Sequence, residues 1–162
     1  MRRAGFTLVE ILVVLTIMGT LLAIGTLQFN SYFAKNAIER QTRELYAEFM
    51  TARSAAVTQH ASKTVVITPT SVTFNATGPG GSTITKTLSK PITWAGKESS
   101  ETEKVITFDE RGLVFGTNNT TICVEPSVKN AQVDSIVLFT TRIRLGTIKF
   151  EEECSSAEFT AK

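Results

Sequence analysis

The leading part of the chain is a long uncharged stretch. No charged residue occurs between Glu10 and Lys35, and the seventeen positions 11–27 are all apolar or small. A helix needs about this many residues, at the lower limit, to cross a bilayer. The pattern therefore predicts a transmembrane helix over residues 6–30, with Glu10 as its one charged position.

The same helix is expected to continue as an amphipathic segment. No proline interrupts the chain before Pro69. Past the uncharged stretch, apolar residues recur at helical spacing and define one face of a helix. We therefore predict a helix from about Phe6 to about Ala61, whose second half packs under a sheet. The apolar face consists of Ile38, Leu45, Phe49, Ala52 and Ala56.

From Lys63 onward the hydrophobic periodicity switches to two, and β-branched residues become frequent. This pattern is typical of short strands separated by turns. One long helix followed by many short strands predicts an α+β fold with an antiparallel sheet. The predicted strands are 64–67, 72–74, 83–88, 92–94, 105–108, 113–115, 120–124, 136–139 and 142–150.

Glu10 does not fit two ordinary roles of an apolar leading segment. A cleaved secretory signal requires a small-residue cleavage site after its core, and residues 21–25 fit poorly. A simple membrane anchor leaves the carboxylate unexplained, because a charge within a membrane helix costs roughly 2.5–3.5 kcal/mol. The position of Glu10 therefore indicates a function that involves a partner.

Residues 5–10, Gly-Phe-Thr-Leu-Val-Glu, follow two arginines and precede the uncharged run. They resemble the type III signal of type IV prepilins and of the pseudopilins of type II secretion. The resemblance implies that a prepilin peptidase cleaves between Gly5 and Phe6 and methylates Phe6. It also implies that Glu10 meets the new amine of a neighbouring subunit in the filament. A milder alternative is that Glu10 only favours the positive end of its own helix.

Later segments resemble the H-type minor pseudopilins of type II secretion and related minor pilins of type IV pili. These segments are the helix end 52–57, the turn 108–112 and the strand 142–144. The resemblance implies the pilin fold and a subunit at or near the filament tip that helps to start assembly. It divides the chain into a leader 1–5, a transmembrane and filament-core helix 6–30, and a globular pilin domain 31–162.

Removal of the leader changes the charge of the chain. Of 17 basic side chains, Arg2 and Arg3 are lost, which leaves 15 basic against 15 acidic ones. A neutral mature chain argues against general affinity for nucleic acid. The two arginines also favour a cytoplasmic leader. We expect a single-pass inner-membrane protein with a periplasmic domain, which later joins a pseudopilus or surface pilus.

Two cysteines, Cys123 and Cys154, lie in the part that would be exported. Disulfides persist in such compartments, so we predict a bridge that ties the C-terminal segment to an inner strand. Two separate buried thiols are the alternative. No CxxC spacing and a single histidine disfavour metal binding, and no cofactor is predicted.

No catalytic constellation is visible, and we predict that the chain is not an enzyme. His60 is expected to be a surface or capping residue rather than a catalytic base. The acidic run 151–153 is interpreted as a solvated surface in preference to a calcium site, because no spaced Asp or Asn ligands accompany it.

Arg142 and Arg144 are two residues apart in a predicted strand, so they are expected to share a face. They resemble a Gly-Arg-x-Arg motif with which some competence-associated minor pilins bind DNA, although Thr141 replaces the glycine. The alternative function is therefore a DNA-binding minor pilin of an uptake pilus. We favour a surface pair that faces acidic residues such as Glu151.

Overall fold

The structure is a computed structural model. It describes residues 7–76, 83–98, 100–115, 120–126, 131–148, 154 and 160–161, without the side chains of 24–28 and 76. The chain divides into two compact units, Met1–Ala34 and Lys35–Lys162. The second unit contains the sheets.

One long helix, α1, spans Leu8–Thr58 and confirms the predicted leading helix. Its start is capped, because the Thr7 hydroxyl accepts a hydrogen bond from the Glu10 amide at 3.2 Å. The predicted first residue, Phe6, lies outside the described residues. The helix ends three residues before the predicted end at Ala61. It is followed by His60, whose backbone has a left-handed conformation.

Ten strands follow within the described part of the chain. Most lie within a residue or two of the predicted bounds, and β4 and β7 match them. The strand predicted over 142–150 is shorter, and its positions 149–150 lie outside the described residues. The strands are β1 Lys63–Ile67, β2 Ser71–Ala76, β3 Ile84–Thr87, β4 Ile92–Trp94, β5 Lys104–Phe108, β6 Val114–Phe115, β7 Thr120–Val124, β8 Ser135–Leu138, β9 Ile143–Thr147 and β10 Thr160–Ala161.

The strands form two antiparallel sheets. The first sheet has the order β3-β2-β1-β5-β6, and the second has the order β10-β9-β8-β7-β4. The α+β class with antiparallel pairing is confirmed, but the strands divide between two sheets where one was expected. The chain first passes from the first sheet to the second after Pro91, which lacks an amide donor, and it returns to the first sheet at β5. The carbonyl of Pro91 accepts from the Glu125 amide at 2.8 Å, and β4 then pairs with β7.

The core of the second unit lies between the helix and the inner faces of both sheets. The predicted apolar face of α1 packs there, with Ala52 partly buried and its other members buried. Strand β1 alternates between buried and half-buried residues, as expected for a strand with one face on the core. Each large apolar side chain contributes roughly 1.5–3 kcal/mol on burial. The largest buried side chains include Trp94, Phe49, Phe108, Ile38 and Leu45.

The turn between β5 and β6 lies directly against the end of α1. The Asp109 carboxylate accepts hydrogen bonds from the amides of Arg111 at 2.9 Å and Leu113 at 2.7 Å. Gly112 has a φ of 74°. A β-carbon added there would lie 2.8 Å from Val57 Cγ2, so this close approach requires glycine.

Candidate functional site

The N-terminal segment contains the residues with the strongest sequence signal. Gly5 and Phe6, the predicted cleavage pair, lie outside the described residues. Glu10 lies in the first turn of α1 and is exposed. Thr7 and Glu10 have the spacing of a capping box, which places the carboxylate beside the positive helix end. The Thr7 cap was not predicted, although the Thr-x-x-Glu spacing is a recognisable signal for it.

The first unit exposes a large amount of apolar surface. Leu8 is 81% exposed and Leu22 is 71% exposed, and nearly all of their described neighbours are also exposed. A contiguous apolar surface of this kind marks an interaction site. Within the described residues, no helix includes a segment both long and apolar enough to cross a membrane, so the predicted transmembrane helix is not confirmed.

The predicted disulfide between Cys123 and Cys154 is confirmed, with the two Cα atoms 6.0 Å apart. Cys123 belongs to β7, an inner strand of the second sheet. The Cys154 sulfur lies 3.7 Å from the carbonyl oxygen of Thr121. The bridge therefore fixes Cys154 against this sheet, on the face turned away from Ile122 and the core.

Arg142 and Arg144, the candidate DNA-binding pair, are both exposed. Arg144 belongs to β9 and pairs with Val137. Arg142 immediately precedes β9, and its carbonyl accepts from the Phe139 amide at 2.8 Å, which closes the β8–β9 hairpin. The Arg142 guanidinium lies 5.0 Å from the centre of the Phe139 ring. Glu151, the expected acidic neighbour, lies outside the described residues.

His60 is exposed and has a φ of 48°. The His60 amide donates to the Val57 carbonyl at 3.4 Å, and the Ala61 amide donates to the Ala56 carbonyl at 3.2 Å. These two bonds form a Schellman motif with histidine at the left-handed position. The predicted capping interpretation of His60 is therefore confirmed.

Two carboxylates have perturbed acidity for structural reasons. Asp134 is only 5% exposed, and burial raises its pKa even though its oxygen accepts from the Ile148 amide at 3.0 Å. The hydrogen bond from Trp94 Nε1, at 2.9 Å, lowers the pKa of Glu101, and nearby Lys104 acts in the same direction. Burial of Asp134 was not predicted, because it depends on the pairing of distant strands.

Within the part of the chain that the structure describes, no three His, Cys, Asp or Glu side chains are grouped as metal ligands require. The acidic run 151–153 lies outside this part. Asp134 and Glu101 make structural contacts in different loops.

Residues 1–26 match the family model of the prokaryotic N-terminal methylation motif. The chain thus carries a prokaryotic methylation motif. The motif supports a type IV pilin-like protein, a class of structural subunits. It implies processing by a prepilin peptidase, membrane anchoring and assembly with other pilin subunits. No curated protein and no solved structure matches the chain.

Proposed function

We propose that this chain is a minor pilin or pseudopilin of a type II secretion pseudopilus or a type IV pilus. Its place is at or near the filament tip, where it helps to start assembly. The methylation motif over residues 1–26 carries the proposal. The α+β fold of the described residues, with its long leading helix, is consistent with a pilin.

The N-terminal segment performs the assembly step in this proposal. Cleavage between Gly5 and Phe6 removes the leader and leaves an N-methylated amine. Residues 6–30 anchor the chain in the inner membrane, with residues 31–162 in the periplasm, until the helix transfers into the filament core. There the Glu10 carboxylate pairs with the Phe6 amine of a neighbouring subunit, which sets the register between helices.

Replacement of Glu10 by alanine tests the assembly step. The Glu10→Ala chain is expected to be cleaved normally yet to assemble poorly. Its yield in sheared filaments should fall by about tenfold or more, because removing one partner of a buried pair costs roughly 3–5 kcal/mol. Immunoblots of filament and membrane fractions measure both steps at once.

Glu98→Ala is the matched control, because Glu98 is an exposed carboxylate of the second unit. Its filament yield should equal that of the parent chain. Filament yield of Glu10→Ala at the parental level contradicts the proposed role of the carboxylate.

A second candidate function is capture of extracellular DNA through Arg142 and Arg144. The exposure of both side chains favours it. However, two arginines on a neutral mature chain provide few phosphate contacts, so the binding would be weak and sensitive to salt. Titration of the full chain in mild detergent with a labelled DNA duplex at two salt concentrations tests this candidate, and absence of salt-dependent binding would contradict it.

A further inference from the structure

A cluster of aromatic side chains lies near the end of the first unit, and it is termed the aromatic belt: Phe29, Tyr32 and Phe33. These positions are i, i+3 and i+4 in α1, so the side chains share one face of the helix. The ring centres of Phe29 and Phe33 are 6.3 Å apart, and those of Tyr32 and Phe33 are also 6.3 Å apart. Each side chain is at least 60% exposed.

The distribution of residue types along the chain indicates what the aromatic belt contacts. Between Phe6 and Phe29 the sequence contains no aromatic residue, although most of these positions are apolar. The next charged residue after Glu10 is Lys35, which follows the belt. Aromatic residues are enriched at the two boundaries between a bilayer and water, where the ring meets acyl chains and a tyrosine hydroxyl reaches water. Aromatic residues that only packed between helices would have no reason to be confined to the ends of the stretch.

The length of α1 determines which residue lies at the opposite boundary. Glu10 and Tyr32 both belong to α1, and at 1.5 Å per residue they lie about 33 Å apart along its axis. The hydrocarbon core that separates the two boundaries is about 30 Å thick. A helix tilt of about 20° still leaves about 31 Å between the two residues along the bilayer normal. When the aromatic belt lies at one boundary, Glu10 therefore lies at the other.

This depth explains how a carboxylate is tolerated in the apolar leading segment before assembly. A charge is costly at the centre of a bilayer, whereas at the headgroup boundary water solvates it. The Glu10 side chain is exposed in the first turn of α1, so its carboxylate is able to reach water and headgroups. Desolvation of the carboxylate is then deferred until the helix enters the filament, where the proposed amine partner is present.

We propose that the aromatic belt binds the periplasmic headgroup boundary of the inner-membrane bilayer and holds Glu10 at the cytoplasmic boundary. This inference rests on the proposed function, which supplies the membrane. It adds a partner for the exposed rings, the phospholipid surface, and a role for them, which is to set the depth of the helix. The apolar residues between the two boundaries favour insertion but do not specify a depth.

Tryptophan reporters at two depths test the inference. The uncleaved full chain is placed in bilayer discs of phosphatidylethanolamine and phosphatidylglycerol, with brominated lipids that quench fluorescence either near the headgroups or at the bilayer centre. Tyr32→Trp should be quenched about twofold more strongly by the shallow lipid, and Leu21→Trp about twofold more strongly by the deep lipid. The parent chain, whose Trp94 is buried, provides the background signal.

Substitutions within the aromatic belt test whether its rings set the depth. Phe29→Leu, Tyr32→Leu and Phe33→Leu together keep the face apolar but remove the interfacial rings, so the helix moves along the bilayer normal. Deep quenching of the Leu21→Trp reporter should then fall by about twofold. Phe29→Tyr with Phe33→Tyr is the matched control, because it retains three rings, and it should leave this quenching unchanged. Equal helix content by circular dichroism establishes that the variants are folded.

Thiol alkylation locates the other end of the helix in the same discs. Val9→Cys lies beside Glu10, and it should react with a water-soluble maleimide at least about tenfold faster than Leu21→Cys, which lies within the hydrocarbon core. Cys123 and Cys154 form a disulfide, so the parent chain measures the background reaction.

Four results would overturn the inference. The first is stronger quenching of Tyr32→Trp by the deep lipid, and the second is no quenching at either depth, which would indicate contact with a second copy of the chain. The third is unchanged depth in the leucine variant, and the fourth is equally slow alkylation of Val9→Cys and Leu21→Cys. A chain that stays outside the bilayer would also contradict the membrane anchor of the proposed function. Processing after Gly5 is not involved, since the chain is uncleaved, and the N-terminal mass tests it separately.

Discussion

At the scale of single residues, burial of the Asp134 carboxylate disfavours its charged form. Its oxygen accepts from the Ile148 amide, yet burial raises its pKa above the ordinary value near 3.8. The folded chain therefore holds this proton to higher pH than the unfolded chain does. Stability contributed by the protonated form is lost as pH rises through the folded pKa, and the loss is complete above it.

Asp134→Asn is expected to stabilise the chain near neutral pH. Asparagine keeps the oxygen that accepts from Ile148 and has no charge to desolvate. The free energy of unfolding of the variant, relative to the parent, should rise as pH increases from the acidic range to neutral, because only the parent then carries a buried charge. Urea titrations across this range, in mild detergent, measure the difference.

Glu110→Gln is the control, since Glu110 is an exposed carboxylate on a turn. Its substitution should change the free energy of unfolding by less than about 0.5 kcal/mol. A difference between Asp134→Asn and the parent that does not change with pH would contradict the stated effect of burial on this carboxylate.

At the scale of elements, the end of α1 depends on a strained residue. His60 occupies the left-handed position of the Schellman motif, where glycine is usual. A left-handed conformation costs an L-residue about 1–2 kcal/mol, whereas glycine loses about 0.5–1 kcal/mol of chain entropy on folding. His60→Gly is therefore expected to raise the free energy of unfolding by about 0.5–1 kcal/mol, as measured by urea titration.

Ser54→Gly provides the contrast, because Ser54 is exposed within the same helix and has helical geometry. Glycine there should lower the free energy of unfolding by about 0.5–1 kcal/mol. The interpretation of His60 as a strained cap would be wrong if both glycine substitutions destabilised the chain.

The elements themselves were largely predictable from sequence. Helix α1 follows from the absence of proline and from an apolar face at helical spacing, and most strands follow from β-branched residues with a period of two. The division into two sheets was not predictable, because it depends on the pairing of β4 with β7. Local patterns specify that 92–94 is a strand but contain no signal for that pairing.

The candidate sites show the same contrast. The disulfide was predictable because the chain contains a single pair of cysteines. A contiguous motif indicates Glu10, whose role in assembly stays a prediction. The buried carboxylate of Asp134 was missed, since its burial depends on the pairing of strands that are far apart in sequence.

At the scale of the whole molecule, the two units have different surfaces. The first unit exposes apolar side chains along its helix, whereas the second contains an apolar core between helix and sheets. An exposed apolar surface of this extent is expected to be buried against another apolar surface. In the proposed function, lipid buries it first and neighbouring subunits bury it in the filament. In the proposed function, the transfer from lipid to neighbouring subunits requires the N-terminal segment to be cleaved at one defined bond.

The mass of the mature N-terminus tests this account most directly. The chain is expressed with its own secretion or pilus machinery, isolated from membranes and filaments, and analysed intact and after proteolysis by mass spectrometry. The account predicts a first residue of Phe6 carrying one added methyl group, and a Gly5 variant with a bulky side chain that remains uncleaved. A chain that retains Met1, or that begins at a residue other than Phe6, would contradict it.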